Sequence, residues 1–264
     1  MNLHIEANRR LWDVWTHVHT RSKFYRVEAF KAGESSLKHI ELQELGSVEG
    51  RRLLHLQCHF GLDTLSWARL GAQATGVDFS PEAIRVARSL AQELGLSAEF
   101  QCAELTELPS VLQGTFDVVF TSYGVLAWLP DLNRWANLIA QYLNPRGIFY
   151  MVEFHPVLGM FDDEGQELCF SYFADPQPLA AEAIRSYAGG ETHEPIKHYQ
   201  WNHSLGEVIT ALAAAGLHIE FVHEFPYSVH GCYHFLVEVA PEKFVMKDHP
   251  EEIPLLFSIR ALRP

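Results

Sequence analysis

The chain is poor in cysteine, has no long apolar run and carries no dense cluster of lysine and arginine. Its four cysteines, Cys58, Cys102, Cys169 and Cys232, stand far apart in no paired motif. That argues against a disulfide framework and for reduced thiols. No stretch of 18 or more apolar residues is present, which excludes a membrane-spanning helix. The first residues, Met1 to Glu6, lack the apolar run of a signal peptide, so the expected setting is cytoplasmic. A formal charge of −13 argues against a large nucleic-acid interface, because phosphate neutralisation needs a basic surface. Internal repeats and low-complexity segments are also missing. What remains is a chain of 264 residues, 48% hydrophobic and 20% charged, a globular composition at a length that suits one α/β domain with an elaborated cap, or at most two small domains.

The apolar pattern alternates between strand and helix spacing over residues 48–154. Short runs at Arg52–Gln57, Ala72–Val77, Ala98–Cys102, Phe116–Thr121 and Ile148–Glu153 predict five strands, with helices between them. Ser80-Pro81 opens one helix as cap and first residue, and Gly95 closes it. Such alternation predicts a parallel sheet covered on both faces. Residues 1–47 read as an amino-terminal helical cap, and 155–203, rich in Pro, Gly, Asp and aromatics, as an inserted substrate cap. Residues 204–240 read as a closing helix, started by the Ser204-x-x-Glu207 capping box, and two strands, His218–Phe225 and Cys232–Ala240. The proline-bearing stretch 241–264 reads as a tail over the surface.

The most informative residue is Asp78. It follows the strand Ala74-Thr75-Gly76-Val77, itself preceded by Leu53-Leu54-His55-Leu56-Gln57-Cys58-His59-Phe60-Gly61. An acid at the end of a second strand can accept hydrogen bonds from both hydroxyls of an unphosphorylated ribose. The preceding loop is a poor phosphate cradle, since it has only Gly61 where pyrophosphate sites use several glycines. A ligand with a ribose and no phosphate satisfies both observations, and S-adenosylmethionine is such a ligand.

On these residues the chain resembles the class I S-adenosylmethionine-dependent methyltransferases over about 48–153. That family usually has an acid and a glycine-rich loop after the first strand, where this chain has Gln57-Cys58-His59-Phe60-Gly61-Leu62-Asp63. The resemblance implies a Rossmann-like, seven-stranded, mostly parallel sheet with its last strand antiparallel. It also implies transfer of a methyl group to a small-molecule acceptor. Cofactor contacts are then expected from Gln57, Cys58, His59, Gly61 and Asp63 in the loop, and from Asp78 and Phe79. Further contacts are expected from Ala103, Glu104 and Leu105 after strand three, and from Thr121 and Ser122 at the end of strand four.

Methyl transfer from a sulfonium needs mainly proximity and alignment, with a base where the acceptor carries a proton. His155, at the end of strand five, is the first candidate for that base, and Tyr123 the second residue expected near the acceptor. Against these stand packing readings: a strand-end Asp can cap a helix, and a His before a proline can be structural. The cluster His198, Tyr199, Trp201 and His203 reads as packing before it reads as a pocket. Two competing functions use the same features, a nicotinamide-dependent oxidoreductase and a non-catalytic S-adenosylmethionine-binding module. The pairs His55-x-x-x-His59 and His230-x-x-x-His234 suggest metal ligands by count, yet neither falls on a helix, so no metal is expected.

Overall fold

The computed structural model describes residues 3–264. Three helices come first: α1 (Leu3–His19), α2 (Val27–Lys31) and α3 (His39–Leu45). The alternating region follows as β1 (Arg52–Leu56), α4 (Leu62–Arg69), β2 (Gln73–Asp78), α5 (Pro81–Leu94) and β3 (Ala98–Cys102). It continues through a single turn, α6 (Leu108–Val111), then β4 (Phe116–Ser122), α7 (Leu132–Tyr142) and β5 (Leu143–Phe154). Beyond it lie the hairpin β6 (Leu179–Arg185) and β7 (Glu191–Gln200), then α8 (Leu205–Ala214) and β8 (His218–Phe225). The ribbon β9 (Leu236–Ala240) and β10 (Lys243–Met246) precedes the last strand, β11 (Leu256–Leu262).

Seven strands form the main sheet in the order β3-β2-β1-β4-β5-β11-β8. β1 to β5 are mutually parallel, and β11 runs antiparallel to both β5 and β8. The two faces are built by alternation along each strand. In β5, Phe149 and Met151 join the core under α7 and α8, while Tyr150 and Val152 join the opposite core with Trp67 of α4. The local signals act as their chemistry requires. Ser80 Oγ accepts from the amide of Ala83, Pro81 opens α5, and Gly95 closes it in the left-handed conformation. Ser204 and Glu207 form the reciprocal capping box of α8.

The carboxyl-terminal stretch corrects the sequence-based expectation. Residues 241–264 are not a surface tail. They supply β11, which is inserted beside β5, with Leu256, Phe257 and Ile259 fully buried. The segment Cys232–Ala240, expected there, instead gives β9 of the separate two-stranded ribbon. Pro250 and Pro254 precede β11 without entering it, which leaves every ladder amide of the strand in place.

The amino-terminal helices and the hairpin are attached to the sheet by specific polar contacts. The side-chain amide of Asn8, fully buried on α1, accepts from the Tyr199 amide and donates to the Tyr199 carbonyl, both at 2.8 Å. It thereby stands in for a neighbouring strand along the free edge of β7. Asp13 accepts from Ser80 Oγ at 2.6 Å, fixing α1 against the start of α5. No described helix is long and apolar enough to cross a membrane.

Candidate active site

The order of the sheet reverses between β1 and β4, and in open α/β sheets the crevice at the carboxyl ends of such strands is where ligands bind. Here that crevice is roofed by α1, the α1–α2 connection and the loop after β8, giving a cavity of about 550 Å³. The size falls within the range of small-molecule sites.

One end of the cavity is made by the loop after β1. Gln57 and His59 adopt positive φ values of 56° and 50°, a conformation that costs non-glycine residues free energy and is held only by surrounding contacts. The holding contacts are visible. The Cys58 amide donates to Val77 O, the His59 amide donates to Asp78 Oδ2 at 2.8 Å, and Gln57 Nε2 donates to Val125 O. Gly61 is required at the start of α4: its φ is 82°, and a Cβ there would lie 2.6 Å from the Phe100 ring. The Cys58 thiol is buried in the cluster with Phe100, and burial pushes it well above its ordinary range.

Asp78 lies at the end of β2 with its carboxylate facing this cavity. Each oxygen already accepts one amide, from His59 and from Ser80 at 2.9 Å. A carboxylate has about four lone-pair sites, so capacity for two ligand hydroxyls remains. Burial lifts its pKa to about 6, against the backbone hydrogen bonds that lower it. Phe79, Ala103, Glu104 and Leu105 continue the same wall. Glu104 Oε2 accepts from the Thr106 amide and hydroxyl, which shapes the turn after β3.

On the floor, Asp63 in the first turn of α4 accepts from Ser36 Oγ at 2.6 Å and Ser122 Oγ at 3.1 Å. It faces the cavity and makes no ion pair among the described residues. Glu153, buried at the end of β5, receives the amides of Gly124, Val125, Leu126 and Phe154 and so fixes the loop after β4. That loop places Tyr123 on the cavity wall, its phenol donating to Glu41 at 2.9 Å. Glu41 is fully buried in α3, and burial raises its pKa to about 8.

Two expected site residues lie elsewhere. His155 does not line the cavity; its Nε2 is 3.0 Å from a carboxylate oxygen of Glu224 on β8, and its Nδ1 accepts from the Val157 amide. The chain turns after Phe154 and carries His155 against β8 and Phe257, away from the crevice. Thr121 is fully buried inside the sheet with its hydroxyl directed at Leu56 O, whereas the next residue, Ser122, faces the cavity. The strand alternates, and the site takes only one of two neighbours.

Other cavity residues were not apparent from the sequence. Phe24 and Tyr25 come from the α1–α2 connection, and His230, Cys232 and Tyr233 from the loop after β8. Loop residues with no period give no pattern to read; only the aromatic density of both segments marks them. The cluster His198, Tyr199, Trp201 and His203 packs beneath the turn Leu126–Trp128, with the Trp201 amide on Ala127 O and His203 Nε2 2.7 Å from Leu129 O. None of these four lines the cavity.

Comparison with known proteins agrees with this geometry. The Rossmann-like sheet with an inserted antiparallel strand is the fold of the class I S-adenosylmethionine-dependent methyltransferases. It superimposes on a putative S-adenosylmethionine-dependent methyltransferase from Listeria monocytogenes with a TM-score of 0.60 and 16% identity, over 90% of this chain and 99% of that one. Residues 54–151 match the methyltransferase domain family. It is 30% identical over 155 residues to the ubiquinone biosynthesis O-methyltransferase of Bordetella avium, covering 54% of this chain and 64% of the relative. Against the protein of the same name from Xanthomonas euvesicatoria it is 34% identical over 104 residues, or 39% and 43% of the two chains. The matches thus span 64% and 43% of these relatives' own lengths, and none of these likenesses is to a nicotinamide-dependent oxidoreductase.

Proposed function

We propose that the protein transfers the methyl group of S-adenosylmethionine to a hydroxyl of a small, largely apolar acceptor. The observation that carries this reading is the single cavity that runs from the Asp78 carboxylate to an aromatic end at Tyr123 and Phe154. At the first end, Asp78 accepts the ribose hydroxyls. Ala103, Glu104 and Leu105 flank the adenine. Gln57, His59 and Gly61 shape the turn over the methionine portion, and Asp63 receives its ammonium group. This last contact gives a cation to a carboxylate that otherwise faces the cavity with only hydroxyl partners.

At the other end the acceptor lies against aromatic walls. The reaction is an in-line displacement in which the acceptor oxygen attacks the methyl carbon as the carbon–sulfur bond breaks. Holding the two partners in line supplies most of the acceleration. The relatives' name, O-methyltransferase, favours oxygen as the attacked atom, and the net charge of −13 favours a metabolite over a nucleic acid. A reducing cytoplasm suits the four unpaired cysteines.

The test is transfer of isotopically labelled methyl from S-adenosylmethionine to a panel of small phenols, amines and thiols, with the product identified by mass spectrometry. Label on an oxygen of a phenol is the expected result. Label on nitrogen or sulfur would refute the acceptor assignment. Binding of the cofactor without transfer to any member would favour the non-catalytic binding module instead.

A further inference from the structure

Three histidines line the cavity, and their surroundings separate them. His55 Nδ1 is paired with Thr64 Oγ1 at 2.9 Å, and its Nε2 is sealed from solvent. His59 Nε2 shares a hydrogen bond of 2.8 Å with His19 Nδ1, which in turn pairs through Nε2 with Ser186 Oγ; His59 Nδ1 is sealed. His230 differs from both. Its ring makes no hydrogen bond among the described residues, and neither nitrogen is sealed from the cavity it lines.

Its position is fixed rather than incidental. The His230 amide donates to Ser228 Oγ and its carbonyl accepts from the same hydroxyl, while the Ser228 backbone pairs in both directions with Phe244 of β10. The ring stacks on Phe24 at 5.4 Å, meets the edge of Tyr123 at 4.6 Å and lies 6.3 Å from Phe154. An unbonded imidazole held in an aromatic box, beside the ends of β4 and β5, combines the polar group and the flat walls that a phenol requires.

We propose that His230 accepts the hydroxyl proton of a phenolic acceptor as its oxygen takes the methyl group. The inference rests on the methyl-transfer reading above and adds the acceptor class and the base. In the step, the phenol oxygen forms a bond to the methyl carbon, the carbon–sulfur bond breaks, and its electron pair returns to sulfur as the neutral thioether. The phenol proton passes to a ring nitrogen of His230 and from the imidazolium to water. Burial, with Lys38 as a second cause, lowers the His230 pKa to about 3, so the imidazole is neutral but only weakly basic, and it takes the proton as the forming oxygen–carbon bond makes that proton strongly acidic.

Other titratable groups face the same end. Tyr123 and Tyr233 are raised by burial and stay neutral, Cys232 is raised to about 12, and Lys38 is paired with Glu242 at 2.6 Å. Glu153 stays beneath its four amides, and Glu41, behind Tyr123, has its pKa at about 8. Because Glu41 is shared by wild type and variant, comparing their profiles isolates His230.

The experiment uses catechol, 4-hydroxybenzoate and 3,4-dihydroxybenzoate as acceptors, with His230→Asn and His230→Ala beside the wild type. Calorimetry with S-adenosylhomocysteine comes first, and both variants are expected to bind as the wild type does. The expected kinetic result is a fall in kcat on the order of 100-fold or more, with partial rescue of His230→Ala by added imidazole. The variants must use phenol that is already ionised, so their rates should climb about tenfold per pH unit below the phenol's pKa of ~10, while the wild-type profile stays flatter. Variant rates within a few-fold of wild type, or parallel pH profiles, would overturn the assignment. Normal product binding with no turnover of any of these phenols would overturn it too, leaving the cofactor reading intact. Failure to bind S-adenosylhomocysteine at all would instead remove the reading beneath it.

Discussion

Individual carboxylates in this protein are buried before they are paired, and the consequences can be measured. Glu41 is raised to about 8 from an ordinary 4.5, and Asp78 to about 6 from 3.8, in both cases chiefly by burial. The folded chain therefore holds protons that the unfolded chain releases. The resulting stability is fully present below the ordinary values and is lost as pH rises through the folded ones. Urea unfolding should show the protein losing stability between about pH 5 and pH 8.5, with Glu41→Gln flattening much of that slope. A wild type that gains stability over the same interval would contradict the burial argument. At this scale the sequence was informative about Asp78, whose strand-loop-helix setting is local, and uninformative about Glu41. Nothing in the helix pattern of His39–Leu45 indicates that its third residue meets a phenol from the loop after β4.

At the scale of elements, the cap over the cavity depends on a few side chains that bridge distant segments. Asn8 is the clearest, with two 2.8 Å hydrogen bonds to the Tyr199 backbone. Asn8→Ala removes both and leaves a half-buried amide and carbonyl on β7 without this partner, which should cost about 1–3 kcal/mol. Hydrogen exchange at Tyr199 and its neighbours in β7 should accelerate while β1 and β4 stay protected. Uniform acceleration throughout the sheet would show that α1 and the hairpin are not a separable cover. The parallel core was legible because each β-α-β unit carries its own period, caps and turn glycines, as with Ser80-Pro81 and Gly95. β11 was not. Its partners, β5 and β8, are remote in sequence, and Pro250 and Pro254 beside it read as breakers of structure, although they stand just outside the strand. His155 failed for a related reason: the end of β5 was read correctly, but the turn that follows it depends on β8, β11 and Glu224.

For the molecule as a whole, the sheet brings its switch point, two loops and the amino-terminal helices around one cavity of about 550 Å³. That arrangement links the Asp78 end of the cavity to its aromatic end. The proposed hold of Asp78 on the ribose of S-adenosylmethionine is open to calorimetric titration. S-adenosylmethionine and S-adenosylhomocysteine should both bind the wild type, bind more weakly as pH falls through about 6 when Asp78 takes up a proton, and lose at least tenfold in affinity to Asp78→Asn, while NAD does not bind. Undiminished binding by Asp78→Asn, or preference for NAD, would contradict the account.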